Sequence, residues 1–403
     1  MYAGREKKVR RTSREDSLLH SIVQKNRERE KTEMGQNLDR KRMKQSAVGK
    51  RRRAAVLFGG CSPEYGVSLQ SAAAVLEHMD RTKYEPVPIG ITHSGEWFYY
   101  TGETGKIEDD SWCGSGDCVP VTVSLNRGEH SLLLMKDGHA ERLPIDVVFP
   151  ILHGKNGEDG TVQGLFELAG IPVAGCGILA SALCMDKDRA HRLAKEAGIR
   201  VPASYVHSRR ADRKAAAGRA GQIGYPLFVK PVKAGSSYGI TKVNDEGGLA
   251  EAMELAFAYD EKVIIEECIL GFEVGCAVMG TRELTVGEVD EIELAEGFFD
   301  FTEKYTLKTS AIHVPARISA NLARRVKESA KTIYSALDCS GFARVDMFLT
   351  KEEEIVFNEV NTIPGFTSHS RFPNMMKAAG ISFEEVISGI LEEALGRMAG
   401  KQA

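Results

Sequence analysis

Two alternating runs, Arg344-Val-Asp346-Met-Phe-Leu and Ile355-Val-Phe-Asn-Glu359-Val-Asn361, constrain this chain more than any other feature. Side chains on a strand alternate between faces, so Arg344 and Asp346 share one face of the first run. Glu359 and Asn361 share one face of the second. The connection Thr350–Glu354 is short and polar, which suits a hairpin. Pairing the two runs brings Asp346, Glu359 and Asn361 together among Val, Phe and Met residues that read as buried. Two carboxylates and an amide oxygen form a hard-oxygen set suited to Mg²⁺ in contact with phosphate. The plain alternative is the solvent-facing side of a sheet. Against it, unpaired carboxylates on a covered face are costly.

The rest of the chain reads as an α/β protein of several units. Ala54–Phe58 is a short apolar run ending in Gly59–Gly60, and a helical stripe follows through Ala72, Val75, Leu76 and Met79. With a second strand at Tyr84–Ile91, this is the start of an open α/β domain. Residues 102–140 show weak periodicity and read as loop with short strands. Ile145–Pro150 reads as a buried strand entering the polar loop His153-Gly-Lys-Asn-Gly-Glu-Asp-Gly160. A second unit, over 176–270, has a helix at Ser181–Ala197 and a strand at Tyr225–Lys230. The loop Ala234-Gly-Ser-Ser-Tyr-Gly239, a helix over 247–258 and a strand at Lys262–Glu267 complete it. A third unit, over 271–398, has strands near 273–279 and 284–293. It continues with a helix striped by Leu322, Val326, Ile333 and Leu337, the hairpin above, and a closing helix over 383–397.

Charge is unevenly spread. Residues 1–53 carry 18 Lys/Arg against 7 Asp/Glu, and the remainder carries 35 against 49. The basic segment has few aromatics and no sustained apolar period, which reads as disorder. It suits an anionic surface, or it is an upstream-translated extension with Met34 or Met43 as alternative starts. The acidic body argues against nucleic acid as substrate. The basic start lacks the apolar core of a secretory signal, and no run reaches the roughly 18 apolar residues of a membrane span. Eight scattered cysteines without a CxxC pair fit a reduced, cytoplasmic protein.

Lys230 closes an apolar strand just before the glycine-serine loop, where a lysine and backbone amides can hold phosphates. The spacing is not that of a Walker loop, because the lysine lies upstream. Lys187 stands at a helix start, where a surface lysine is the default. Glu266 and Glu273 flank strands and offer acceptors for adenine and ribose, or are ordinary sheet-edge charges. His153 sits at a strand-to-loop junction, and Glu64 follows the first Gly-Gly, where it can meet an ammonium group or simply complement a helix dipole.

Together these motifs resemble the D-alanine–D-alanine ligase family of the ATP-grasp superfamily. The resemblance runs from Ala54 to about residue 398. It is carried by Gly-Gly-Cys-Ser-Pro-Glu64, the His153–Gly160 loop, Met-Asp-Lys187 and Lys230-Pro-Val-Lys-Ala-Gly-Ser236-Ser237. Arg344-Val-Asp346, Asn358-Glu359-Val-Asn361-Thr-Ile-Pro-Gly365 and Thr367-Ser-His-Ser370 complete the series. The resemblance implies a three-domain α/β ligase that activates D-alanine as an acyl phosphate with ATP and two Mg²⁺ ions, Mn²⁺ being a substitute. It assigns Lys187, Lys230, Ser237 and Lys304 to phosphates. Glu266, Glu267, Ile269 and Glu273 fall to the nucleotide, and Asp346, Glu359 and Asn361 to the metal. Glu64, Ser236 and Tyr305 serve the first substrate and lid, with His153 nearby. Arg344 and the Gly365 N–H serve the oxyanion, and Ser370 serves the acceptor carboxylate. A homodimer is implied as well.

Two departures bear on the acceptor. Gly66 stands where a second glutamate is common. Arg371 follows Ser370, where an apolar or aromatic residue is usual. Arg371, Asp290 and Phe299 are similar to the vancomycin-resistance D-alanine–D-serine ligases of the G type. The lid tyrosine Tyr305 argues against a hydroxy-acid acceptor. The expectation is therefore D-alanine–D-serine ligation. The alternatives are a housekeeping D-alanine–D-alanine ligase and, from another class, a nucleotide-binding regulator with a degraded metal set.

Overall fold

The structure, a computed structural model, describes residues 51–114, 116–235, 238–294 and 310–402. Three sheets organise them around four buried clusters, one of which spans the first and third sheets.

The first sheet has seven strands. β1 (Arg52–Gly59) lies between β2 (Tyr84–Ile91) and β7 (Val147–Pro150), parallel to both. Ala54 to Phe58 are all inaccessible, as expected of a parallel strand covered on both faces. Gly59 holds a positive φ of 86°, and a Cβ there would lie 2.1 Å from the Ile91 carbonyl oxygen. Only glycine can end this strand so close to β2. α1 (Tyr65–His78) then packs its Leu69, Ala72, Val75 and Leu76 stripe on the sheet. The stretch read as loop with short strands carries an antiparallel meander. It comprises β3 (Trp97–Tyr100), the short α2 (Gly105–Glu108), β4 (Cys118–Val123), β5 (Ser131–Lys136) and β6 (His139–Pro144). Its periodicity is weak because the outer strand β6 is largely exposed, leaving little apolar pattern to read. α3 (Thr161–Ala169) covers the other face of the sheet.

The helix expected over 181–197 is two helices, α4 (Ile178–Met185) and α5 (Lys187–Glu196). Asp186 breaks them and caps the second by accepting from the Arg189 N–H. Their buried residues Ala180, Cys184, Ala190 and Ala194 join the core of the third sheet, although the sequence grouped them with the second unit. The second sheet is antiparallel, formed by β8 (Ser204–Ser208), β9 (Leu227–Pro231), β10 (Thr241–Val243) and β11 (Lys262–Glu267) in the order β10-β9-β11-β8. α6 (Arg213–Ile223) and α7 (Leu249–Phe257) fill the core beneath it.

The third sheet holds β12 (Gly271–Met279), β13 (Thr285–Val286), β14 (Asp290–Leu294), β15 (Ser310–His313), β16 (Phe342–Thr350) and β17 (Ile355–Asn361). The strand expected over 284–293 is divided: β13 ends at Val286 and Gly287 packs against Met375, so pairing resumes only at Asp290. α8 (Ala320–Ala336) buries Leu322, Val326 and Ile333 against this sheet. α9 (Arg371–Ala378) and α10 (Phe383–Gln402) pack on the first sheet's core instead, uniting it with the third. No helix among the described residues is long and apolar enough to cross a membrane.

Candidate active site

The hairpin forms in the expected register: Arg344 lies opposite Asn361, and Asp346 opposite Glu359. Ala343, Val345 and Met347 point into the core, so Arg344 and Asp346 occupy the other face. Asp346 is 1% exposed, yet it is richly partnered. Arg344 grips both its oxygens, with Nε 2.8 Å from Oδ1 and Nη2 2.7 Å from Oδ2. Asn361 Nδ2 donates to Oδ2 at 2.8 Å, and Arg371 Nη2 lies 3.3 Å from Oδ1. Such pairing offsets the cost of burying the carboxylate. A β-bulge follows Asp346, leaving Asn358 without a partner on β16. The Asn358 carbonyl accepts instead from His191 Nε2 at 2.8 Å, tying α5 to the hairpin.

Lys187 and Lys230 converge on the same edge. Lys187 Nζ donates to the Ala234 carbonyl at 2.8 Å and lies 3.7 Å from Glu359 Oε2. Lys230 Nζ meets Glu266 Oε2 at 2.6 Å, within a site where both are buried. Burial alone would lower the Lys230 pKa, but the Glu266 carboxylate outweighs it and raises it; the same pair leaves Glu266 lowered. Glu266, read as an adenine acceptor, is thus the lysine's counter-ion here. Glu267 accepts from the Ala203 N–H at 3.0 Å, and Ile269 lies half-buried just beyond β11. Asp346 and Asn361 are hydrogen-bonded and Glu359 stands opposite Asp346 in the register, with Lys187 3.7 Å from Glu359. Among the described residues no cluster of three or more His, Cys, Asp or Glu forms a metal site by itself.

A cavity of about 660 Å³ lies between the first and third sheets. Glu64, His153, Glu158, Arg344, Gly365, Ser370 and Arg371 are on its wall. Glu64 is 7% exposed and packs between Gly154 and Gly235. A Cβ at Gly154 would sit 2.1 Å from Glu64 Oε2, so the glycine makes room for that carboxylate. Gly66 also lines the cavity, and a Cβ there would meet nothing within 4 Å. The departure at this position therefore widens the cavity beside Glu64. Ser370 stands just before α9 without a capping hydrogen bond; its Oγ accepts from the Thr367 N–H at 3.0 Å and lies 2.8 Å from Thr367 Oγ1.

His153, placed near the first substrate by the resemblance, lines the cavity with both ring nitrogens engaged: Nδ1 at 2.8 Å from the Ile363 carbonyl and Nε2 at 3.3 Å from Ser71 Oγ. Asp290, expected to bind the acceptor, is fully buried. It accepts from Arg371 Nε at 2.6 Å, Arg371 Nη2 at 2.8 Å and the Gly275 N–H at 2.8 Å. Glu273, expected at the ribose, takes Arg371 Nη1 at 2.8 Å. A buried guanidinium needs carboxylates around it, and these two supply them. Ser236, Ser237, Phe299, Lys304 and Tyr305 lie outside the described residues.

Glu158 lies in the His153–Gly160 loop and is fully engaged with backbone amides. Its Oε1 accepts from the Ile363 N–H at 2.8 Å and its Oε2 from the Gly154 N–H at 2.9 Å, joining the two loops of the cavity. Its signal was the acidic residue of a glycine loop, which sequence alone cannot aim. Burial, with the Glu64 charge second, pushes its carboxyl up to about 8. A carboxyl pKa raised on folding adds stability that is complete below the unfolded value of 4.5 and is lost as pH rises through 8. The ligand-free protein is expected to lose melting temperature between about pH 5 and 8. Glu158→Gln, read by thermal shift across that range, should flatten the slope; an unchanged slope would contradict the assignment.

Comparison with known proteins agrees with this geometry. The family model described as D-ala D-ala ligase N-terminus matches residues 53–176, and the one described as D-ala D-ala ligase C-terminus matches 193–392. The crystal structure of VanG D-Ala:D-Ser ligase from Enterococcus faecalis is 57% identical with a TM-score of 0.80, covering 86% of this chain and 100% of that one. The vancomycin/teicoplanin A-type resistance protein VanA of Enterococcus faecium is 46% identical over 85% of this chain and 98% of the relative. A D-alanine–D-alanine ligase of Caldicellulosiruptor bescii is 42% identical over 87% of this chain and 97% of its own length. With its motifs in register, its fold matched along nearly the whole described length and both halves recognised, the chain belongs to the D-alanine–D-alanine ligase family of ATP-dependent ligases.

Proposed function

We propose that this enzyme joins D-alanine to D-serine, making a modified peptidoglycan precursor terminus of the kind that underlies vancomycin resistance. The observation that carries the reading is Arg371 on the cavity wall beside Ser370, held in one orientation by Asp290 and Glu273. A guanidinium so fixed offers a donor to a hydroxyl and nothing to a methyl group. The identity to a protein described as a D-Ala:D-Ser ligase supports it. A homodimer in the cytoplasm belongs to the same reading.

In the reaction, a carboxylate oxygen of D-alanine bonds to the γ-phosphorus of ATP as the bond to ADP breaks. The amine of D-serine then attacks the acyl carbon, phosphate leaves, and the nitrogen gives up a proton. Glu64 receives the first ammonium group, while Lys187 and Lys230 hold phosphates in line. Asp346, Glu359 and Asn361 would hold Mg²⁺, which neutralises phosphate charge. Arg344 and the Gly365 N–H stabilise the oxyanion of the tetrahedral intermediate. Ile363, Phe366 and Thr367 spend their amide hydrogens on Glu158, Ser71 and Ser370. Pro364 has none, which leaves Gly365 to face the cavity. Ser370 takes the acceptor carboxylate, and exclusion of water from the site protects the acyl phosphate.

Competition between D-alanine and D-serine at equal concentration and neutral pH tests the acceptor. The expected result is a predominance of the serine dipeptide by mass. Equal use of the two would return the chain to the housekeeping reading.

A further inference from the structure

The segment 363–366 carries the Gly365 amide but belongs to the loop after β17, with no strand partner of its own. Three hydrogen bonds from the first sheet's side hold it, and a fourth ties two of its anchors to each other. Ile363 donates its N–H to Glu158 Oε1 at 2.8 Å, and the Ile363 carbonyl lies 2.8 Å from His153 Nδ1. Phe366 donates its N–H to Ser71 Oγ at 3.2 Å, and Ser71 Oγ lies 3.3 Å from His153 Nε2.

The direction of every bond follows from chemistry. A carbonyl only accepts, so His153 Nδ1 carries the proton. The ring is neutral, because burial pulls its pKa down to about 4. Nε2 is therefore an acceptor, and the Ser71 hydroxyl must donate to it. Ser71 can then receive the Phe366 N–H on a lone pair. Every polar atom in this path has one compatible role, and replacing any member leaves a buried group unpaired. Ser71 is fully inaccessible, sits on α1, and is not among the residues on the cavity wall. It is too remote to touch substrate, and an inert helix position would be filled as well by alanine.

We propose that Ser71 is a positioning residue: through Phe366 and His153 it fixes the peptide on either side of Gly365, and so aims the oxyanion-binding amide from the opposite domain face. This rests on the reading of Gly365 given above. A displacement of about 1 Å at such a donor is enough to cost roughly a hundredfold in rate.

Ser71→Ala in the full-length enzyme tests the proposal, with steady-state constants, rapid-quench ADP formation and melting temperature measured together. The expected result is a kcat about ten- to a hundredfold lower. The KM for ATP and for the first D-alanine should hold, and the first-turnover burst of ADP should persist, because only acyl transfer uses the oxyanion donor. Ser71→Thr, which keeps the hydroxyl, should recover most of the rate. An unchanged kcat in Ser71→Ala would overturn the proposal. So would a loss of kcat that follows the melting temperature and is not recovered by threonine. If the ADP burst vanished while both affinities held, the clamp would serve phosphoryl transfer, and the Gly365 reading itself would be the one at fault.

Discussion

Asp346→Asn is expected to lower turnover roughly a thousandfold with any acceptor, the scale of losing a preorganised charge at a transferring phosphoryl group. The substitution keeps the volume and one oxygen but removes the charge that two guanidiniums and the Asn361 amide surround. Glu359→Gln should act in the same direction through the other carboxylate. Mn²⁺ binding followed by electron paramagnetic resonance gives a readout apart from turnover. Both variants should weaken it, and full activity in both would remove Asp346 and Glu359 from the metal site.

Arg371→Met is expected to do more than change the acceptor. It would strand Asp290 and Glu273, which share this guanidinium at 2.6–2.8 Å, in a site where Asp290 is wholly buried. Breaking a buried pair from one side costs about 3–5 kcal/mol. Urea denaturation should show a loss of that size. Pairing it with Asp290→Leu should restore part of the stability, because replacing both partners by apolar groups is close to neutral. In either variant D-serine use should fall roughly tenfold relative to D-alanine, the scale of one charge-assisted hydrogen bond. An unchanged ratio in a folded double variant would make Arg371 a purely structural cation.

The hairpin and the shared face of Arg344, Asp346, Glu359 and Asn361 were legible because strand alternation is local. β1, β2 and β11 were legible as apolar runs bounded by turn residues. The meander of β4 to β6 was not, since exposed strands carry little apolar period. Nor was the break at Asp186, where a good capping residue sits within helix-forming neighbours. Residue roles that depend on who stands opposite were the least accessible. Nothing in the order of residues pairs Glu158 with Ile363, or Arg371 with Asp290 across 81 positions. Those partners show that His153 and Asp290 each hold another group in place.

The central claim is acyl-phosphate ligation of D-alanine to D-serine, and isotope transfer tests it most directly. The enzyme would be given ATP, Mg²⁺, D-serine and D-alanine labelled with ¹⁸O in its carboxylate, and both products would be weighed. The expected products are D-alanyl-D-serine as the main dipeptide and phosphate that carries one ¹⁸O from the D-alanine carboxylate. Unlabelled phosphate, or a dipeptide that excludes serine, would contradict it.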